Sequence, residues 1–588
     1  MSILDLNFNK NSKKAALAKV HYKPKTERRY ERTKDVVDFC RIIEKHGDRV
    51  ALTYFDKKRK LHDMTYGELG ANIKKVAAGV TAMGIAGKKV AVIGETSYMW
   101  LSSYIGAMAA GCVVIPMDKE LEKDVILDFL AWVDADAIVY SEKFNEAFEE
   151  AKGNHKSLRY FIPMTSDENA KADNFTVSFD KLLEVGDSEI ENGYSYPPVK
   201  DKEKLAEMLF TSGTTGSSKA VMLSQKNIFA VVNSAAATVD FTPEDTIVSV
   251  LPIHHTYELA CMLAAFLYGM HVCINDTLTH LLKNFQIFKP TGLVLVPLFV
   301  YTMYKKIWAE AKKKGKDKML KLGLGASKAL STIGIDKRRE IMAEVHNTFG
   351  GNLKKMVCGG AALNPKMVEF FETLGINICE GFGITECAPL VCVNPYHARK
   401  YGSVGPAVPC CQVRIAGEAK NDYGYVEGEI QVKGDNVMIG YFDNDQANED
   451  VFTEDSWFRT GDVGYLDSDG YLFITGRLKS VIVLENGKNV FPEEVEEYLS
   501  DLELVAESVV VGRAEKLTDK VVLTAIVYPD YAKFDENVTD ETVQRALENE
   551  IASLNKKLPT YKQIKAIEVR KTEFEKTTSR KIKRHLVK

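Results

Sequence analysis

The chain has 588 residues, of which 45% are hydrophobic, 27% charged and 10% aromatic. That is the make-up of a folded globular chain and excludes collagen-like or wholly disordered polymers. Its 77 Lys+Arg against 81 Asp+Glu give a net charge of −4, so no overall field draws it to nucleic acid, which is excluded as a partner.

The ten cysteines include no CxxC pair. Neither a zinc ribbon nor a disulfide framework is expected, and reduced thiols in the cytoplasm are the simpler reading. The start, MSILDLNFNKNSKK, lacks an apolar core, so no secretory signal is expected. Residues 259–274 are almost uncharged, but the run is shorter than the ~20 residues of a membrane helix. Gly269 interrupts it, and it reads as a buried helix running into a buried strand.

In chain order, the first clear element is a helix opened by Thr65 and Glu68 at capping-box spacing. Leu69, Ile73, Val76, Val80 and Met83 follow at helical intervals. A strand at 90–93, an apolar helix around 100–110, a strand at 113–117, another helix and a strand at 137–140 come next. Such alternation predicts right-handed βαβ units and a parallel sheet. It resumes with strands at 246–251, 271–274, 292–298, 354–358 and 377–382, which predicts two doubly wound sheets in tandem with ligand loops at the strands' carboxyl ends. Residues 166–204 are polar and weakly periodic, and read as a surface excursion. The lysine-rich stretch 305–321 reads as a solvated helix face, with peripheral contact to an anionic membrane surface as the alternative.

Beyond Gly402 short β runs are separated by glycine turns. Asn486-Gly487 predicts a hairpin between 481–484 and 488–491. Pro492 fits the first helical position, with Glu493 and Glu494 favourable in the first turn. Strands near 508–511, 521–527 and 566–569 and a helix near 541–558 complete a small unit. The fold class is therefore α/β: a large N-terminal body, residues 1–478, with doubly wound sheets and a β-rich subdomain, and a small mobile α+β C-terminal lid, residues 479–588.

Four motifs carry chemistry. Thr211-Ser212-Gly213-Thr214-Thr215-Gly216-Ser217-Ser218-Lys219 follows an apolar strand and precedes a helix expected near Ser224. Its glycines let N–H groups converge on an anion, and its hydroxyls and lysine add donors. The spacing is not the Walker pattern, and taken alone such a segment is equally a plain loop. Gly381-Phe382-Gly383-Ile384-Thr385-Glu386 places an aromatic ring among glycines, followed by oxygens of the kind Mg²⁺ prefers. Alone it would read as a strand-end turn with a buried phenylalanine. In Arg459-Thr460-Gly461-Asp462 a carboxylate at a tight turn could hold a ribose diol. The fourth motif is Gly476-Arg477-Leu478-Lys479.

As a set and in this order, the four motifs resemble those of the adenylate-forming superfamily of acyl-CoA synthetases, adenylation domains and luciferases. The resemblance runs from roughly residue 38 to residue 584. Leu251-Pro252-Ile253-His254-His255-Thr256-Tyr257-Glu258 and the basic insert at 305–339 are similar to the long-chain fatty acyl-CoA synthetase branch. The resemblance implies activation of a fatty acid by ATP, with Mg²⁺ as cofactor, and transfer of the acyl group to CoA in the cytoplasm or at the inner face of its membrane. Thr211 to Lys219 would hold the β- and γ-phosphates, and Thr211 and Glu386 would share Mg²⁺. Gly360, Ala361 and Ala362 would line the adenine slot with Phe382, and Asp462 and Arg477 would bind ribose. His255 would sit at the carboxylate end of the acyl pocket. Lys479 would be the hinge, Lys581 the lid's catalytic lysine, and Gly487 part of a pantetheine channel.

The sequence departs from the family pattern at Ser218 (usually Pro), Ala220 (usually Gly), Phe382 (commonly Tyr) and Arg580 (usually Gly). Two other readings follow: an enzyme that loads a separate carrier protein, and a non-catalytic protein that binds acyl-AMP.

Overall fold

In the computed structural model, Thr65 and Glu68 cap the helix Tyr66–Ala82 reciprocally. The Glu68 carboxylate accepts from Thr65 N–H at 2.7 Å, and Thr65 Oγ1 accepts from Glu68 N–H at 3.2 Å. The structure describes residues 31–165, 175–212, 218–484, 489–514, 521–535, 537–577 and 581–587. They divide into two compact units, one of residues 31–412 with 432–458, the other of 413–431 with 459–587.

The larger unit holds two sheets. The seven-stranded sheet runs in the order Gly440–Tyr441, Ser218–Ser224, Leu205–Ser212, Val113–Met117, Lys89–Ile93, Ala137–Tyr140, Tyr160–Pro163. Its last five strands are parallel, and the first two pairings are antiparallel. The eight-stranded sheet runs Leu390–Asn394, Asn377–Gly383, Lys355–Gly359, Gly292–Leu295, Thr246–Ser249, His271–Ile274, Val50–Phe55, Leu61–Thr65, parallel except at both edges. The expected pair of sheets is present, but not strictly in tandem. The hairpin of residues 50–65 crosses ahead of the first sheet to complete the second, because Leu52 and Thr53 pair with Val272 and Cys273. Parallel strands buried on both faces need continuous apolar runs, which explains why 113–117 and 137–140 were readable to the residue.

Two expectations are corrected. Residues 166–204 are not merely a surface excursion, because Phe179–Glu191 is a helix with Phe179 and Leu182 fully buried. It lies so close to Tyr66–Ala82 that a Cβ on Gly186 would meet the Lys75 carbonyl oxygen at 2.0 Å, and one on Gly79 the Leu182 oxygen at 2.5 Å. A contact made through glycines leaves no hydrophobic signature. The strand expected at 292–298 ends at Leu295, because Pro297 starts the helix Pro297–Lys313.

The smaller unit has a four-stranded sheet ordered Cys411–Ala416, Glu427–Gly434, Phe458–Leu466, Leu472–Arg477, and a three-stranded sheet ordered Val505–Ala514, Val521–Pro529, Ala566–Val569. The helices Pro492–Ser500 and Asp540–Asn555 bury Val495, Leu499, Val543, Leu547 and Ile551 in one core with Val510, Ala525 and Val527. Pro492 stands in the first turn, as its missing N–H allows.

Two carboxyls are sealed in the larger unit. Glu207 accepts from Tyr104 OH at 3.1 Å, and Glu258 accepts from Ser249 Oγ at 2.5 Å. Burial pushes the pKa of each up to about 8, opposed by those hydrogen bonds. The unfolded value lies near 4.3, so between about pH 4.5 and 8 the folded chain binds more protons than the unfolded one, and stability falls as pH rises through that window. The melting temperature is expected to be lower at pH 8 than at pH 6. The Glu207→Gln/Glu258→Gln variant should show a flatter profile by calorimetry; an unchanged slope would contradict protonated carboxyls at these sites.

Candidate active site

The larger unit gathers three expected residues around one that sequence reasoning missed. Thr211 and Lys219 face each other across the antiparallel ladder of Leu205–Ser212 and Ser218–Ser224, with Thr211 Oγ1 donating to the Lys219 carbonyl at 3.5 Å. The two ends of the motif thus lie on paired antiparallel strands, and the helix that begins after the Ser224 cap follows the second of them. Gly213, Thr214, Thr215 and Gly216 lie outside the described residues, as does the side chain of Ser212.

Lys219 Nζ stands 4.4 Å over the ring of Tyr441, and the Tyr441 hydroxyl donates to Glu386 Oε1 at 2.8 Å. Tyr441 sits on the short edge strand against Val221, 5% exposed, with its N–H held by Asn448 Oδ1 at 2.7 Å. Burial, reinforced by the neighbouring Glu386 charge, pushes its phenol far above the usual tyrosine value. It stays a neutral donor. Glu386 lies in the 3-10 turn Thr385–Cys387 after strand Asn377–Gly383, and its carbonyl accepts from Met438 N–H at 2.8 Å. The only signal for Tyr441 was its position after Gly440, where φ is +153°.

Strands Lys355–Gly359 and Asn377–Gly383 are parallel, with Gly359 beside Gly381. Their ends therefore bring Gly360, Ala361 and Ala362 next to Gly381, Phe382 and Gly383. Gly360 has φ +86°, a conformation that costs glycine little, and residues 360–362 are exposed. Phe382 itself is 8% exposed, a core position.

His255 occupies the N-cap position of the helix Thr256–Tyr268, and its ring lies tilted against that of His254, centroids 4.3 Å apart. His254 is buried with Nε2 3.6 Å from Asp118 Oδ2, and burial, His255 and Lys119 together hold it well below the usual histidine pKa. On the same helix, Tyr257 and Cys261 pack against Leu251, Val294 and Val296 in a small apolar cluster.

An oxygen pair such as Thr211 and Glu386 suits Mg²⁺, which takes few protein ligands and completes its shell with water and phosphates.

The smaller unit holds the remaining group. Asp462 and Arg477 are cross-strand partners, with Arg477 Nε 2.8 Å from Asp462 Oδ1; the carboxylate is buried and the guanidinium half-exposed. Lys581 belongs with them: desolvation first and then the Arg477 charge lower its pKa, and Asp462 opposes. Residue 581 as a whole is exposed. Lys479 is exposed in the short turn Leu478–Ser480. Gly487 and Arg580 lie outside the described residues, although Ile482–Val483 pairs antiparallel with Asn489–Val490 on either side of residues 485–488.

The segment carrying Lys581 is fastened at both ends. Thr577 N–H donates to the Lys581 carbonyl at 2.8 Å, Lys581 N–H to Thr577 Oγ1 at 3.2 Å, and Lys583 N–H to the Glu575 carbonyl at 2.8 Å. Lys576 pairs with Glu507, and Arg584 with Glu496, which also accepts from Val510 N–H at 2.6 Å. Burial raises the Glu496 carboxyl to about 7 against the pull of Arg584.

Comparison with known proteins gives this arrangement its class. The sequence model of the AMP-binding enzyme matches residues 39–442, and that of the AMP-binding enzyme C-terminal domain matches residues 479–588. The chain belongs to the AMP-binding enzyme family, and it is an adenylate-forming acyl ligase. A long-chain-fatty-acid–CoA ligase of Mycobacterium bovis is 30% identical over 77% of this chain and 76% of its own. A chloroplastic long-chain-fatty-acid–[acyl-carrier-protein] ligase of Arabidopsis thaliana is 26% identical over 86% of this chain and 78% of its own. Among solved structures, the adenylation domain of a carboxylate reductase from Mycobacterium chelonae superposes with a TM-score of 0.77 at 20% identity, covering 95% of this chain and 90% of that one.

Replacing Arg584 by Ala leaves the Glu496 carboxylate without its counter-charge. The expected result is loss of hydrogen-exchange protection at the amides of Thr577, Lys581 and Lys583, with protection in strands Val505–Ala514 and Val521–Pro529 retained. Unchanged protection at those three amides would show that the clamp does not order the lysine.

Proposed function

We propose that the chain joins a long-chain fatty acid to ATP as an acyl-adenylate and then passes the acyl group to CoA, releasing pyrophosphate and AMP. The observation that carries this reading is the Lys219–Tyr441–Glu386 cluster, in which one tyrosine contacts both a cation and a carboxylate. The similarity to a fatty-acid–CoA ligase supports the substrate class.

The reaction must bring a carboxylate onto the α-phosphate of a polyanion. At ~4 Å and an effective dielectric of about 20, each like-charged pair costs roughly 4 kcal/mol. In this reading Lys219 and the segment from Thr211 to Gly216 hold the β- and γ-phosphates, with Thr211 and Glu386 as the Mg²⁺ ligands; bound there, the ion neutralises phosphate charge. Gly360 to Ala362 and Phe382 frame the adenine, and Asp462 with Arg477 take the ribose hydroxyls. His255 stands at the fatty carboxylate. Lys581, its ammonium favoured by Asp462 and disfavoured by Arg477, donates to the oxygens on which charge develops.

The two half-reactions need different faces of residues 479–588, which act as a lid on the body formed by 1–478. Lys479 is the hinge, and Gly487 lines the thiol channel in the second step. A carrier protein in place of CoA is the second reading, favoured by the similarity to the plant acyl-carrier-protein ligase.

Lys581→Ala is expected to slow single-turnover formation of acyl-adenylate by about a hundredfold. Gly487→Leu is expected to leave that step intact and slow thioester formation. Running the second step with free CoA and with a holo-carrier identifies the acceptor. Wild-type adenylation by Lys581→Ala, or equal losses in both steps for Gly487→Leu, would overturn the assignment of these residues.

A further inference from the structure

The basic insert has a property that acyl activation does not require. Between residues 305 and 341 there are twelve Lys or Arg and four Asp or Glu, a local charge of +8 in a chain whose total is −4. Much of it lies on the helices Pro297–Lys313 and Asp317–Thr332. Some of these cations serve the fold: Lys314 and Lys316 share Glu344 at 3.1 and 2.8 Å, and Lys328 pairs with Glu369 at 2.6 Å. Lys306, Lys312, Lys313, Lys318 and Lys321 are exposed and form no ion pair among the described residues.

The second observation is apolar. Helix Asp317–Thr332 is fixed to the body by one face only, with Leu320 buried in the core and Ser327 Oγ donating to the Thr373 carbonyl at 2.7 Å. On the opposite face Met319, Leu322, Ala326, Ala329 and Ile333 follow at i, i+3, i+7, i+10 and i+14, a single stripe at the helical period. Leu322 is 75% and Ile333 69% exposed. Lys318 and Lys321 border the stripe at one end and Lys328 along its side. At about 1.5 Å per residue the helix is too short to span a bilayer, and no helix among the described residues is long and apolar enough to cross one.

We propose that the outward face of helix Asp317–Thr332, with Lys312 and Lys313 beside it, docks in the plane of an anionic lipid surface. An outward apolar stripe bordered by exposed lysines, Lys318 and Lys321 among them without an ion pair among the described residues, is the pattern that buries its hydrophobic side chains at the headgroup boundary while the cations meet lipid phosphates. Nucleic acid would use the charge but leave Leu322 and Ile333 in water. A second copy of this chain would bury the stripe but would bring two +8 surfaces together. A lipid surface satisfies both features, and it is where a long-chain fatty acid partitions. The face lies wholly within the larger unit, so docking is independent of the lid and of catalysis.

The test uses the full chain without substrates, cosedimented with vesicles of phosphatidylcholine alone or of phosphatidylcholine with phosphatidylglycerol. Binding is expected only to the anionic vesicles and should weaken as ionic strength shortens the Debye length. Lys312→Gln/Lys313→Gln/Lys318→Gln/Lys321→Gln should lower the partition coefficient on the order of a thousandfold. Met319→Ser/Leu322→Ser/Ile333→Ser should also lose binding while keeping the wild-type melting temperature, because those side chains are already in water. Equal binding to both vesicle types, retention by either variant, or a stripe-dependent dimer that ignores lipid would overturn the proposal. Acyl-adenylate formation from a short, water-soluble carboxylate should be unaffected by either variant, so lost docking is distinguishable from a failed active site.

Discussion

A buried phenol keeps a carboxylate and a lysine adjacent without letting them neutralise each other. Tyr441 donates to one oxygen of Glu386 and offers its ring face to Lys219. Glu386 and Lys219 come from different sheets, and Tyr441 joins the edge of one sheet to the turn that leaves the other. A direct Lys219–Glu386 ion pair would consume the donors and the acceptor that the proposed roles in nucleotide and metal binding require. A cation held over an aromatic face keeps its N–H groups available, and a carboxylate anchored through one oxygen keeps the other for a ligand.

The smaller unit solves a related problem by different means. Its lysine lies close to the chain terminus, where chains ordinarily fray. Cross-strand hydrogen bonds around Thr577 and Lys581 and two ion pairs to buried or half-buried glutamates hold it. Neighbouring Asp462 and Arg477 act on the ammonium with opposite signs. The position of Arg477 matters twice, as partner of Asp462 and as a cation that lowers the Lys581 pKa.

Much of this was legible in the sequence, for physical reasons. Parallel strands sealed on both faces must be apolar nearly throughout, so 113–117, 137–140 and 271–274 read to the residue. The capping box at Thr65 and the proline at 492 read because caps are local chemistry. The helix Phe179–Glu191 did not read, because its tightest contact runs through Gly186 and Gly79 rather than through large side chains. The strand pair carrying Lys219 was read as strand, loop and helix. The pairing of Ser218–Ser224 with Leu205–Ser212 is tertiary information that periodicity does not hold. Tyr441 was invisible for the same reason: its role exists only through partners 55 residues and more away in sequence. The apolar stripe on Asp317–Thr332 was hidden among lysines until the structure showed which side of the helix is anchored.

The most direct test of the central claim is ATP–pyrophosphate exchange driven by a long-chain fatty acid, without thiol, over a range of Mg²⁺ concentrations, in the wild type and in Tyr441→Phe. The account predicts carboxylate-dependent exchange in the wild type. It also predicts about a tenfold loss in the variant, the scale of one hydrogen bond to a charged group, largest at low Mg²⁺. Absence of exchange with every fatty acid tried, or identical rates for the two proteins at all Mg²⁺ concentrations, would contradict it.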